Sequence, residues 1–126
     1  MVNNAYSQYK KSSIMTAPPE ELVLMLYNGG MKFLKRAMIH LEDGNLEGCH
    51  VAVIRAQDIV IEFMSKVDTD YEVGKNLFSL YDYMYRRLIE ANVQKDMKII
   101  EEVYNMFKEL KETWEEAIKI VRKNKK

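Results

Sequence analysis

Few residues in this sequence could carry out chemistry, and the clearest pattern among them is Glu47-Gly48-Cys49-His50. A Glu-x-x-His pair supplies ligands in di-iron helical bundles, but those sites need the motif on two helices and a Glu from each of the other two. The sequence contains the motif once, beside a glycine at the predicted start of a helix. We therefore expect no metal site, and we interpret His50 as an exposed residue near a helix start.

The remaining candidates for chemistry also have structural explanations. His40 is placed near the end of a predicted helix, where a cation suits the helix dipole. Cys49 occupies a predicted core position, which favours packing over reactivity. The sequence has no phosphate-binding glycine loop and no nucleophile elbow. It therefore predicts a protein that is not an enzyme and needs no cofactor.

Composition and charge narrow the classes of partner and compartment. The chain has 126 residues, which suggests one domain, and its 19 Lys and Arg balance its 19 Asp and Glu. That balance argues against nucleic acid as the main ligand. The single cysteine permits no intrachain disulfide and indicates a reducing compartment. Without a signal peptide or an apolar run long enough to cross a membrane, we expect a cytoplasmic protein with no membrane partner.

The elements that would position these residues are helices. Residues 1–17 show no helical period and predict a mobile N-terminal arm. Four periodic segments follow, predicted from Pro19 to Leu41, onward to Lys66, from Tyr71 to Val93, and from Asp96 to Arg122. Their short connections favour antiparallel neighbours. The sequence thus predicts an all-α, antiparallel up-down four-helix bundle over residues 18–126, preceded by the arm.

Two adjacent glycines, Gly29 and Gly30, lie inside the first predicted helix. A glycine in a helix interior costs about 1 kcal/mol relative to alanine. We interpret both as positions where another chain segment approaches the helix closely.

Apolar residues exceed what one core stripe per helix requires. The predicted stripe of the fourth helix contains Ile100, Val103, Phe107, Leu110, Trp114, Ala117 and Val121. The first helix has two stripes, Leu22, Leu26, Gly29, Phe33 and Ala37, and Leu24, Tyr27, Met31, Leu34 and Met38. A bundle buries about one stripe per helix. A second copy, the N-terminal arm or a partner peptide would cover the surplus, unless it is simply a thick core.

Two blocks resemble the FliS family of flagellar export chaperones. Residues 16–29 read Thr-Ala-Pro-Pro-Glu-Glu-Leu-Val-Leu-Met-Leu-Tyr-Asn-Gly, and the family's first bundle helix typically starts Thr-Ala-Ser-Pro-Glu-Glu-Leu, then Met-Leu-Tyr-Asp-Gly. Residues 80–92 are similar to the family's block Leu-Tyr-x-Tyr-x-x-x-Arg-Leu-x-x-Ala-Asn. Tyr6 and Tyr9 resemble its tyrosine-bearing N-terminal segment. The departures are Pro18 for the capping Ser and Asn28 for the Asp.

The resemblance implies a four-helix bundle that binds the disordered C-terminal segment of flagellin in the cytoplasm. It also implies that the N-terminal segment covers part of the apolar surface until flagellin displaces it. The predicted partner contacts are Leu24, Tyr27, Met31, Leu34, Ile54, Ile61, Leu80, Tyr83 and Arg87. The predicted cover consists of Tyr6, Tyr9, Ile14 and Met15.

A homo-oligomeric structural protein is the alternative that the same surplus allows. In that interpretation the second stripes pair with another copy of the chain, as in a dimer. The mass in solution, measured with and without a flagellin C-terminal peptide, separates the two interpretations.

Overall fold

The computed structural model describes residues 19–124, which form four helices and, within that range, no strand. The helices are α1 (Pro19–Glu42), α2 (Leu46–Lys66), α3 (Glu72–Gln94) and α4 (Met97–Asn124). The predicted helices are confirmed, with ends within two residues of the expected ones. None of these helices is both long and apolar enough to span a membrane. The predicted arm, residues 1–17, falls outside the described residues.

Short capped turns connect the helices. Gly44 has a φ of 76°, in the left-handed region that glycine adopts readily. Asn45 then caps α2, because its side-chain oxygen accepts the Gly48 N–H at 2.9 Å. At the end of α3, Lys95 has a φ of 52° and its N–H donates to the Ala91 carbonyl. Local contacts in these two turns thus end α1 and α3 a few residues before the next helix begins.

The four helices form a ring in which each packs against two neighbours. Both α1 and α3 pack against α2 and α4. The indole N–H of Trp114 donates to the Glu20 carbonyl at 2.8 Å, which places the later part of α4 beside the start of α1. With short turns between consecutive helices, this arrangement is the predicted antiparallel up-down bundle.

The glycine pair of α1 faces two neighbouring helices. A Cβ on Gly29 would lie 3.2 Å from Ile59 Cδ1 of α2, and a Cβ on Gly30 would lie 2.6 Å from the Phe107 ring of α4. The interpretation of both glycines as points of close approach is confirmed. Phe107 is fully buried, so Gly30 makes room for a core side chain.

Part of the apolar surplus on α1 is core. Tyr27 is 4% exposed and Leu34 is fully buried. Because α1 packs against both α2 and α4, it needs a wide apolar arc. The structure thus corrects the expectation that these two side chains face a partner, since they lie inside the bundle.

The predicted stripe of α4 is buried only as far as Phe107. Leu110 and Trp114 are half-buried, whereas Ala117 and Val121 are exposed, which corrects their placement in the core. The difference in helix length contributes. α4 has 28 residues, whereas its neighbours α1 and α3 have 24 and 23, so α4 is longer by about 6–8 Å at 1.5 Å per residue. Trp114 already lies beside the start of α1, so Ala117 and Val121 come after the point where α1 begins.

Candidate functional site

Exposed apolar side chains lie on the facing outer flanks of α2 and α3, and we call the surface between these flanks the α2–α3 groove. Ile54 and Ile61 line it from α2, while Phe78 and Ile89 line it from α3. All four side chains are more than a third exposed. Large aliphatic and aromatic side chains gathered along one channel are typical of an interaction surface.

A hydrogen bond between the two helices identifies the flanks that meet here. The Asn92 amide lies 2.9 Å from Nδ1 of His50. At 100° per residue, Ile54 and Ile61 fall within about 40° of His50 around α2. Phe78 and Ile89 fall within about 60° of Asn92 around α3 by the same measure. The four exposed side chains therefore line one groove.

The dimensions of the groove suit a helical peptide. From Phe78 to Ile89 the helix axis rises about 16 Å, or about three turns. Half-buried Met64 and Tyr85 and buried Gln57 lie deeper on the same flanks. A partner helix of similar length could place one apolar stripe along this channel.

An aromatic stack inside the bundle joins the walls of the groove. The Phe63 ring centroid lies 4.6 Å from that of Tyr27 and 5.1 Å from that of Tyr81. The two tyrosine hydroxyls are 2.8 Å apart and share a hydrogen bond. Burial raises the pKa of both tyrosines, so the pair stays neutral. The stack connects α1, α2 and α3 and sets their spacing.

A charged network connects α3 to α4 on another face. Tyr83 donates to Glu102 at 2.6 Å, and Arg87 donates to the same carboxylate at 2.9 Å. Arg87 also pairs with Glu90 at 2.7 Å. The Tyr83 hydrogen bond, with help from the Arg87 guanidinium, holds the pKa of Glu102 below its usual range. Both predicted contact residues are thus engaged within the chain.

The Glu-x-x-His residues have separate surroundings. Glu47 lines a cavity between α1 and α2, whereas His50 bonds to Asn92 of α3. Cys49 is fully buried, and that burial raises the pKa of its thiol. Across residues 19–124, no group of three or more His, Cys, Asp or Glu residues is placed to hold a metal ion.

Comparison with known proteins places the chain in a family. The family model described as "Flagellar protein FliS" matches residues 2–121. The chain belongs to the FliS family. The Flagellar secretion chaperone FliS of Bacillus subtilis is 36% identical over 124 residues, which cover 98% of this chain and 93% of that protein. The Salmonella typhimurium protein of the same name is 37% identical over 117 residues, covering 89% of this chain and 86% of that protein.

The FliS-like block at residues 80–92 owes much of its pattern to structure. Tyr81 belongs to the buried aromatic stack, and Arg87 belongs to the network with Glu102. Asn92 bonds to His50 and accepts from the Lys95 ammonium at 2.8 Å. These residues hold α3 against α1, α2 and α4 and secure the turn before α4.

Other predicted contacts lie away from the α2–α3 groove. Leu24 and Met31 are half-buried on the α4-facing flank of α1. That flank is identified by Lys35, whose ammonium lies 5.8 Å from the Tyr104 ring of α4.

Leu80, Tyr83 and Arg87 lie on the α4-facing flank of α3, which the bonds to Glu102 identify. Of the nine predicted contacts, the structure brings only Ile54 and Ile61 to the groove between α2 and α3. The predicted set is otherwise divided among the core and two other faces.

Phe78 and Ile89 are the groove residues that the contact prediction omitted. Their signal was present, because both extend the apolar arc of α3 on the side opposite Leu80 and Tyr83. The predicted cover residues, Tyr6, Tyr9, Ile14 and Met15, fall outside the described part of the chain.

Proposed function

We propose that this protein is a cytoplasmic export chaperone that binds the disordered C-terminal segment of flagellin. Binding would prevent premature polymerisation and keep flagellin competent for flagellar type III secretion. The names of the FliS-family relatives, which are flagellar secretion chaperones, support the general role. The resemblance of the two sequence blocks motivates flagellin as the client.

The observation that carries the proposal is the exposed apolar groove between α2 and α3. In the proposed mechanism, a disordered segment folds into a helix as it lays an apolar stripe along Ile54, Ile61, Phe78 and Ile89. Folding on binding costs several kcal/mol, so the interface must bury a large apolar area to offset it. Such burial predicts a negative heat-capacity change and little dependence on salt.

A client segment longer than the groove would reach other faces of the bundle. We keep the five remaining exposed or half-buried predicted contacts as proposed sites for that extension: Leu24, Met31, Leu80, Tyr83 and Arg87. For Arg87, contact with a client would compete with its bond to Glu102.

We also propose that residues 1–17 cover apolar surface until the client binds. Deleting residues 1–15 should leave the helical content unchanged and increase binding of a hydrophobic dye. Client affinity should change as well, because a competing segment has been removed. A deletion that alters neither dye binding nor client affinity would show that the arm is not a cover.

Calorimetric titration with flagellin tests the proposal, using Ile61→Glu and Ile39→Glu as a matched pair. Ile61 is 45% exposed in the groove, and Ile39 is 49% exposed on α1. Since both are surface isoleucines, neither change should unfold the bundle. A charge at an apolar contact should cost about 2 kcal/mol, or about 30-fold in affinity. We expect that loss for Ile61→Glu and wild-type affinity for Ile39→Glu.

Flagellin without its C-terminal segment provides the decisive second titration. We expect no binding to it at micromolar concentration. Equal binding to truncated and full-length flagellin, or no binding to either, would contradict the proposed client. If Ile61→Glu instead splits a dimer of the free protein, the groove is a self-association surface, as the alternative interpretation requires.

A further inference from the structure

The cavity between α1 and α2 that Glu47 lines is on the flank of α2 opposite the groove. Its volume is about 370 Å³, enough for one or two side chains of a bound peptide. Phe33, Val51 and Ala52 give it an apolar lining. Arg36 enters from α1 and Arg55 from α2, so the cavity combines apolar surface with two guanidinium groups.

The two arginines of this cavity differ from the other three in the sequence. Arg86, Arg87 and Arg122 each pair with a carboxylate. Arg36 and Arg55 form no ion pair with any residue in the range 19–124. The two arginines that have no ion pair among the described residues thus share one cavity. A guanidinium can bind both oxygens of a carboxylate through two parallel hydrogen bonds.

Contacts within the chain position the side chains that line the cavity. The Arg36 guanidinium lies 5.8 Å from the Phe33 ring centroid, a cation–π distance. The Asn45 side-chain N–H donates to Nδ1 of His40 at 3.3 Å. A Cβ on Gly48 would lie 2.8 Å from the His40 ring, so only glycine lets that ring pack against the start of α2.

Acidic side chains are scarce around these two arginines. Glu47 is the single acidic residue among the described residues that line the cavity, so one positive charge remains in excess. Residues 1–18, 125 and 126 include no Asp or Glu. The excess positive charge of the cavity suits a carboxylate supplied by a partner molecule.

We propose that the cavity between α1 and α2 binds an acidic peptide segment of a partner protein, with a carboxylate held between Arg36 and Arg55. An adjacent aliphatic side chain of that segment packs on Phe33 and Val51. Charge complementarity selects the acid, and the apolar lining selects a peptide over a bare anion. The site is separate from the α2–α3 groove and does not depend on flagellin being the client.

Amide chemical shifts of the full chain, titrated with a capped hexapeptide of alternating leucine and glutamate, test this proposal. We expect shifts at Phe33, Arg36, Gly48 and Val51, with a dissociation constant of about 1 mM for so short a probe. The twin peptide with glutamine in place of glutamate should bind at least about tenfold more weakly. Raising the salt concentration should weaken binding of the acidic peptide.

Arginine variants decide whether the cavity is responsible. Arg36→Gln and Arg55→Gln should each lower affinity about tenfold, while melting and helicity stay unchanged. Arg86→Gln, an exposed arginine on α3, is the matched control and should bind like the wild type. Equal losses in all three variants, equal binding of the glutamine peptide, or the same shifts from inorganic phosphate or an oligonucleotide would each overturn the proposal.

Discussion

The two adjacent glycines of α1 allow the packing of the bundle to be tested with a single methyl group. At Gly30 the new Cβ would lie 2.6 to 2.8 Å from three ring atoms of Phe107. That ring is fully buried, so it cannot swing into solvent. Gly30→Ala therefore gains about 1 kcal/mol of helix propensity but incurs an overpacking cost of about 1–3 kcal/mol. With three close contacts, we expect a net destabilisation of about 1–2 kcal/mol.

Gly29→Ala is the matched control, because it adds the same methyl one residue away. Its Cβ would lie 3.2 Å from Ile59 Cδ1, which is the end of a side chain that can shift by a few tenths of an ångström. Most of the propensity gain should survive, giving a net stabilisation of about 0.5 kcal/mol. The two changes are therefore expected to differ in sign.

Urea unfolding followed by circular dichroism measures both free energies by linear extrapolation. A double variant, Gly30→Ala with Phe107→Leu, should recover part of the loss, with a coupling energy of about 1 kcal/mol. If Gly30→Ala is as stable as the wild type, or if Gly29→Ala is the more damaging change, the packing argument is wrong.

Three further perturbations follow from the buried and charged contacts. Tyr27→Phe leaves the Tyr81 hydroxyl buried without its partner and should cost about 1–3 kcal/mol in urea unfolding, whereas the double change to phenylalanine should cost less; equal losses would contradict this. Glu102→Gln should lower stability at neutral pH. Since folding depresses the pKa of Glu102, its contribution is complete above the unfolded pKa of about 4.3 and is lost as pH falls through the folded value. The wild type and Glu102→Gln should therefore converge in stability as pH falls below the folded pKa of Glu102, and a constant difference across pH would refute the network. Asn92→Ala removes the side-chain bonds to His50 and to the Lys95 ammonium and should cost about 1 kcal/mol in urea unfolding; an unchanged stability would show that these two bonds do not stabilise the bundle.

The helices and their core stripes were predictable because periodicity depends on local sequence. Cys49, predicted to occupy a core position, is fully buried, and so are Val53, Ala56 and Val60, which follow it on α2 in steps of four, three and four. The fourth helix shows the limit of that reasoning. Its stripe continues to Val121, but full burial stops at Phe107, and Ala117 and Val121 are exposed. These last two residues come after Trp114, which lies beside the start of α1, and periodicity carries no information about where the neighbouring helix begins.

The sequence by itself also determined the family, through two blocks with recognisable residues. Only the tertiary structure decided which apolar flanks meet. Ile54 and Ile61 face the flank of α3 that carries Phe78 and Ile89, whereas Tyr83 faces α4. In an antiparallel four-helix bundle, consecutive helices can follow one another clockwise or anticlockwise around the ring. An apolar stripe repeated every 3.5 residues is compatible with both arrangements. The direction is fixed by packing across the core, where all four helices contribute at once, so no single helix encodes where the groove will form.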